Sequence, residues 1–139
     1  MTTTAIAFDY GISNIGVAYG QSLTGQGQEL PPINARDGVP HWEDIANLLT
    51  EWKPSIIIIG LPLNMDDSES ELCTRVKKFG RRLHGRFGVT IAYMDERLST
   101  FDAKQEAKLR GHKGNYKQNP IDSIAARLIL ESWFATPSS

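Results

Sequence analysis

Three acidic side chains stand where the surrounding residues call for apolar ones. Asp9 closes the run AIAFD just before a glycine turn, Glu96 follows VTIAYMD, and Asp122 leads into SIAARLILESW. A carboxylate is costly to hold in apolar surroundings unless it is paired or bound to a metal. Each acid has a structural reading: Asp9 as a turn former before Gly11, Glu96 as a partner of adjacent Arg97, and Asp122 as a first-turn acid meeting its helix dipole. Jointly they have a chemical one. Two or three carboxylates that cannot neutralise one another repel, and a hard divalent cation such as Mg²⁺ or Mn²⁺ relieves the repulsion through oxygen ligands. The sequence holds no Cys/His cluster for zinc, no GxxxxGK[ST] phosphate loop and no evident His partner for Cys73, its lone cysteine. Metal-assisted phosphoryl chemistry is the reading that is left.

The elements that must position these acids follow from periodicity. Ala5 to Asp9 reads as a strand, with Gly16 to Gly20 as its hairpin partner beyond the ISN turn. A weaker extended stretch lies within Gln28 to Ala35, interrupted by Pro31 and Pro32. WEDIANLLTEW spaces Trp42, Ile45, Leu48, Leu49 and Trp52 as one helical face, and Pro54 stops it. SIIIIG, between Pro54 and Gly60, reads as a strand buried on both faces, so helices are expected above and below the sheet. SESE suggests a capping box with Ser68 as N-cap, opening a helix to about Arg86. Val89 to Met94 is the next strand, Ser99 to about Arg110 the next helix, and a terminal helix carries Pro120 in its first turn. The order predicts an α/β fold, a mixed sheet of an antiparallel hairpin plus parallel strands, flanked by helices.

Alternation along strands puts Asp9 on the face of Ala5 and Ala7, opposite Ile6, Phe8 and Tyr10. Small alanines let a helix approach that face closely. Glu96 shares a face with Thr90, Ala92 and Met94, with Asp95 turned away, and Asp122 falls on the stripe of Ala125, Ala126, Ile129 and Trp133. Ligands in open α/β sheets gather beyond the carboxyl ends of strands, where Asp9 and Glu96 both lie.

A chain of 139 residues, 40% hydrophobic, suits a single domain over residues 1–139. One cysteine, no basic-then-apolar leader and no long apolar span predict a cytoplasmic protein without a membrane partner. Net charge is −1, yet the first 74 residues carry 2 basic and 10 acidic side chains, while residues 75–139 carry 13 and 6. That asymmetry points to a polyanionic partner for the second half. Arg75, Lys77, Lys78, Arg81, Arg82 and Arg86 occur with no acid between Leu72 and Met94. The loop GHKGNYKQN combines Lys113, Tyr116 and Lys117 just before Asp122, a composition suited to holding phosphates and stacking a base. Arg81, Arg82, Arg97, Lys113, Tyr116 and Lys117 are the candidate nucleic-acid contacts. A solvated helix face, an ordinary linker and, for Arg97, an ion pair with a neighbouring acid are their structural alternatives. Trp42, Trp52 and Trp133 read as core.

Four ordered motifs resemble the RuvX/YqgF family: DYG with IGVA (Asp9 to Gly11, Ile15 to Ala18), GLPLNMD (Gly60 to Asp66), DERLST (Asp95 to Thr100) and IDSIAARLILESW (Ile121 to Trp133). The resemblance implies an RNase H-like fold related to the RuvC resolvases. It implies a nuclease described in two ways, as a Holliday-junction resolvase active in DNA recombination and as a nuclease maturing the 5′ end of pre-16S rRNA in ribosome biogenesis. Carried over by position, it makes Asp9, Glu96 and Asp122 the acidic metal site for Mg²⁺ or Mn²⁺. The expected partners are pre-rRNA or branched DNA and ribosomal precursor particles, met by a monomer or a homodimer. Ser13 and Asn14 stand where the family usually has Lys-Arg, Gln21 where an Asp is common, and Asp67 where a Gly is common. The first departure removes two charges that could grip a phosphate.

Two rival readings bound this one. DYGISN also resembles the phosphate-binding start of actin-like ATPases and sugar kinases, but those need two such domains around a nucleotide cleft, more than 139 residues supply. The other is a non-catalytic nucleic-acid- or ribosome-binding module that keeps the RNase H-like fold.

Overall fold

The computed structural model describes residues 2–62, 70–95 and 121–136, the side chains of Ile121 and Asp122 excepted. The elements are β1 (Thr4–Asp9), β2 (Asn14–Gln21), β3 (Gln26–Arg36), β4 (Val39–Pro40), α1 (Trp42–Trp52), β5 (Ile56–Leu61), α2 (Glu71–Phe87), β6 (Ile91–Asp95) and α3 (Ile121–Ala135). The strands form one sheet in the order β4-β3-β2-β1-β5-β6. β1 through β4 pair antiparallel in succession, whereas β1, β5 and β6 run parallel. The mixed sheet expected from the hairpin and the alternating elements is present. The helix expected over Ser99 to Arg110 lies outside the described residues.

Strand alternation divides the core into two layers. Ile6, Phe8 and Tyr10 pack with Ile45 of α1 and with Val76, Phe79 and Leu83 of α2. Ala5 and Ala7 pack with Ala126, Ile129 and Leu130 of α3. β5 serves both layers, because Ile57 and Ile59 join the first and Ile58 the second. Each of these three isoleucines is fully buried, which stabilises the fold by roughly 1.5–3 kcal/mol per side chain relative to exposure. Trp42 and Trp52 pack against the first layer and Trp133 against the second, as their spacing predicts. The Arg86 guanidinium covers the Trp42 ring at 4.3 Å.

Three local features differ from expectation. The weak stretch around Pro31 and Pro32 is the 11-residue β3. A bulge absorbs the prolines: Ile15 pairs with Ile33 and Val17 with Leu30, so both prolines stand opposite Gly16 alone. Their missing N–H groups are tolerated because the ladder is interrupted there. The N-cap of α2 is Ser70 rather than Ser68, which lies outside the described residues. The Ser70 hydroxyl accepts from the Cys73 N–H at 3.1 Å and donates to the Pro62 carbonyl at 3.0 Å, tying the helix to the chain leaving β5. Glu71 is thus the first helical residue, placed to meet the dipole rather than to close a capping box. The last strand begins at Ile91 rather than Val89.

Candidate active site

The β1–β2 connection decides where Asp9 can stand. Gly11 makes it tight, since a Cβ there would overlap the carbonyl oxygen of Asn14. Asp9 is the last residue of β1, paired with Gly16, and is only 8% exposed. It continues the face of Ala5 and Ala7, the face that α3 covers. Ser13 and Asn14 belong to the same connection: the Ser13 carbonyl accepts from the Ala35 N–H, and Asn14 starts β2 opposite Asn34.

The first turn of α3 is bonded to the neighbouring strands at the bulge. The Ser123 hydroxyl donates to the Leu30 carbonyl at 2.8 Å and accepts from the Val17 N–H at 3.4 Å. Ser123 is 3% exposed. Because Val17 follows the Gly16 that faces Asp9, this anchor fixes the helical turn carrying Asp122 against the end of the Asp9 strand pair. Further along α3, Arg127 donates to Glu29 at 2.9 Å and to Glu131 at 2.8 Å, and Glu131 accepts from the Gly27 N–H at 2.9 Å. All three charged side chains are less than a third exposed, so the network holds the helix in one register on β3.

β6 carries Ala92 and Met94 to the α3 layer, as alternation predicts. Glu96, Arg97, Lys113, Tyr116 and Lys117 lie outside the described residues. Among the described residues no group of three His, Cys, Asp or Glu side chains is close enough to hold an ion. The donor type nevertheless fits: a carboxylate buried at a strand's carboxyl end offers hard oxygen ligands of the kind Mg²⁺ and Mn²⁺ take.

Arg81 and Arg82, neighbours in sequence, are separated by the helix. Arg82 stands with Tyr10, Trp42, Arg75 and Lys78 between α2 and the β3–β4 hairpin, whereas Arg81 lies with His84, Thr90 and Tyr93 beside β6. The sequence reading missed Ser123, whose partners are 93 and 106 residues away. It also missed the hairpin turn at Asp37 and Gly38, although that dipeptide is a strong local signal. Both residues have positive φ, 50° and 80°, the pair of conformations that a type I′ turn demands.

The family model for RuvX, described as Holliday junction resolvase, matches residues 3–136. A protein of Saccharophagus degradans named "Putative pre-16S rRNA nuclease" is 56% identical over 131 residues, which cover 94% of this chain and 92% of that one. A protein of Actinobacillus succinogenes with the same name is 54% identical over 134 residues, covering 96% of each chain. Among solved structures, T. thermophilus RuvC in complex with Holliday junction substrate matches with a TM-score of 0.57 at 16% identity, covering 94% of this chain and 93% of that one. A fowlpox virus resolvase bound to Holliday junction DNA matches with a TM-score of 0.52 at 12% identity, covering 95% and 97%. At such identities the likeness is one of fold, and the fold is RNase H-like of the RuvC type. With the family model spanning nearly the whole sequence and relatives more than half identical, the chain belongs to the RuvX family.

Proposed function

We propose that the protein is a divalent-metal-dependent nuclease that hydrolyses phosphodiester bonds in structured nucleic acid, with the 5′ end of pre-16S rRNA as its substrate. The observation that carries this reading is the burial of Asp9 at the carboxyl end of β1, on the face covered by the helix whose first turn contains Asp122. Naming of the relatives as pre-16S rRNA nucleases supports the choice of RNA.

In this mechanism Asp9, Glu96 and Asp122 would hold Mg²⁺ or Mn²⁺, which, bound there, would supply positive charge to the reacting phosphate oxygens. The chain's own part is positional. Asp9 is held by β1 and the tight Gly11 turn, and the Ser123 hydroxyl ties the first turn of α3 to β2 and β3. Water adds to phosphorus as the bond to the leaving oxygen breaks, and that oxygen leaves protonated as a hydroxyl. Arg97, Lys113, Tyr116 and Lys117 are proposed to hold the backbone and stack a base beside the reacting phosphate, and Arg81 and Arg82, on different sides of α2, to hold backbone away from it.

The test offers the same Mg²⁺-replete protein a pre-16S rRNA 5′-end substrate and a four-way DNA junction, with Asp9→Asn as control. Cleavage of the RNA, faster than of the junction and absent in the variant, is the expected result. Faster resolution of the junction would replace RNA by branched DNA as substrate. Binding of either without cleavage would favour a non-catalytic module.

A further inference from the structure

A basic groove lies on the opposite side of the sheet from Asp9. Tyr10, the next residue, points into the α1/α2 layer and forms the floor of a groove of about 290 Å³ between α2 and the β3–β4 hairpin. Trp42 and Phe79 complete its apolar wall, and Arg75, Lys78 and Arg82 form its charged rim. Those three residues follow one another at intervals of three and four, which stacks them on one side of α2. The opposing carboxylate is Asp37, whose Oδ1 lies 3.7 Å from an Arg75 nitrogen. Asp37 is 84% exposed, so that contact contributes little and yields readily to a stronger anion.

The hairpin wall of the groove is built rather than incidental. The Tyr10 hydroxyl donates to the Gly38 carbonyl at 2.5 Å, pinning the turn against the sheet. A Cβ at Gly38 would collide with that hydroxyl, and its φ of 80° disfavours any other residue. Three cations beside apolar, partly desolvated walls strengthen attraction for a phosphate beyond what scattered surface charges achieve.

The geometry points to a phosphodiester-binding groove in which Arg75, Lys78 and Arg82 hold nucleic-acid backbone on the α2 side of the sheet. This rests on the nuclease reading for its ligand class.

The experiment measures binding of a fluorescent single-stranded RNA, and of the DNA of the same sequence, in EDTA across a salt series. Arg75→Gln/Lys78→Gln/Arg82→Gln should lower the salt slope by about 2, at ~0.7 per lost single-strand contact, and weaken binding roughly 100-fold at ~0.1 M salt. Lys78→Gln alone, at an exposed position with no packing role, should lower the slope by about 0.7. Lys53→Gln, removing the same charge at the end of α1 that precedes β5, should leave the slope unchanged. Wild-type slopes in the triple and Lys78 variants, or an equal loss in Lys53→Gln, would overturn the groove. Equal slope changes on RNA and DNA support recognition of the phosphodiester itself, and a change on one alone assigns the groove to that nucleic acid. Because binding is read without metal, a groove-dependent slope in a protein that never cleaves would overturn the nuclease reading and leave the groove standing. Cleavage with an unaltered slope would do the reverse.

Discussion

Asp9 and Ser123 show how differently two site residues can be read. Asp9 is conspicuous because a charge at the end of an apolar strand is costly, and strand alternation alone puts it on the alanine face that α3 covers. Ser123 is silent in sequence, since a serine near a helix start is an ordinary local feature. Its worth comes from Val17 and Leu30, brought to it only by the folded sheet. Removing the hydroxyl leaves a buried N–H and a buried carbonyl without this partner at the β2–β3 bulge. Ser123→Ala should therefore cost about 1–3 kcal/mol in denaturant unfolding. A loss below about 0.5 kcal/mol, typical of a surface substitution, would contradict the anchoring role.

At the scale of elements, the packed faces were legible and the junctions between elements were not. The apolar spacing of α1, the β-branched run of β5 and the period-two pattern of β1 each state which face is buried, and the two core layers follow them. The bulge at Pro31 and Pro32, the Ser70 cap and the divergence of Arg81 from Arg82 depend on register and helix phase, which sequence proximity does not reveal. The β3–β4 hairpin has its own titration signature through Tyr10. Burial raises the Tyr10 pKa above its ordinary 10.0, while the Arg75 and Arg82 charges oppose that rise. A raised folded-state pKa keeps the phenol protonated after the unfolded chain has lost its proton. Its stabilisation is thus complete below pH 10 and is lost as pH climbs towards the folded value. Tyr10→Phe should cost about 1 kcal/mol near neutrality for the lost hydrogen bond and flatten the decline in stability above pH 10. An alkaline decline as steep as that of the wild type would contradict this.

For the molecule as a whole, the sheet brings two chemistries to one end. The buried Asp9 carboxylate lies on the face that α3 covers and a basic groove lies beside α2, separated by one step of the chain from Asp9 to Tyr10. The excess of basic residues after residue 74 pointed to a polyanionic partner for that half, and the groove residues Arg75, Lys78 and Arg82 come from it. No helix among the described residues is long and apolar enough to cross a membrane. The central claim is that Asp9 serves metal-dependent phosphodiester hydrolysis rather than folding. Cleavage of a pre-16S rRNA 5′-end substrate, by wild type and by Asp9→Asn verified as folded by circular dichroism, should be measured in Mg²⁺ and in EDTA. Metal-dependent rate acceleration worth several kcal/mol predicts wild-type cleavage in Mg²⁺ alone, falling at least about 100-fold in EDTA or in the variant. Equal cleavage by Asp9→Asn, or by wild type in EDTA, would contradict it.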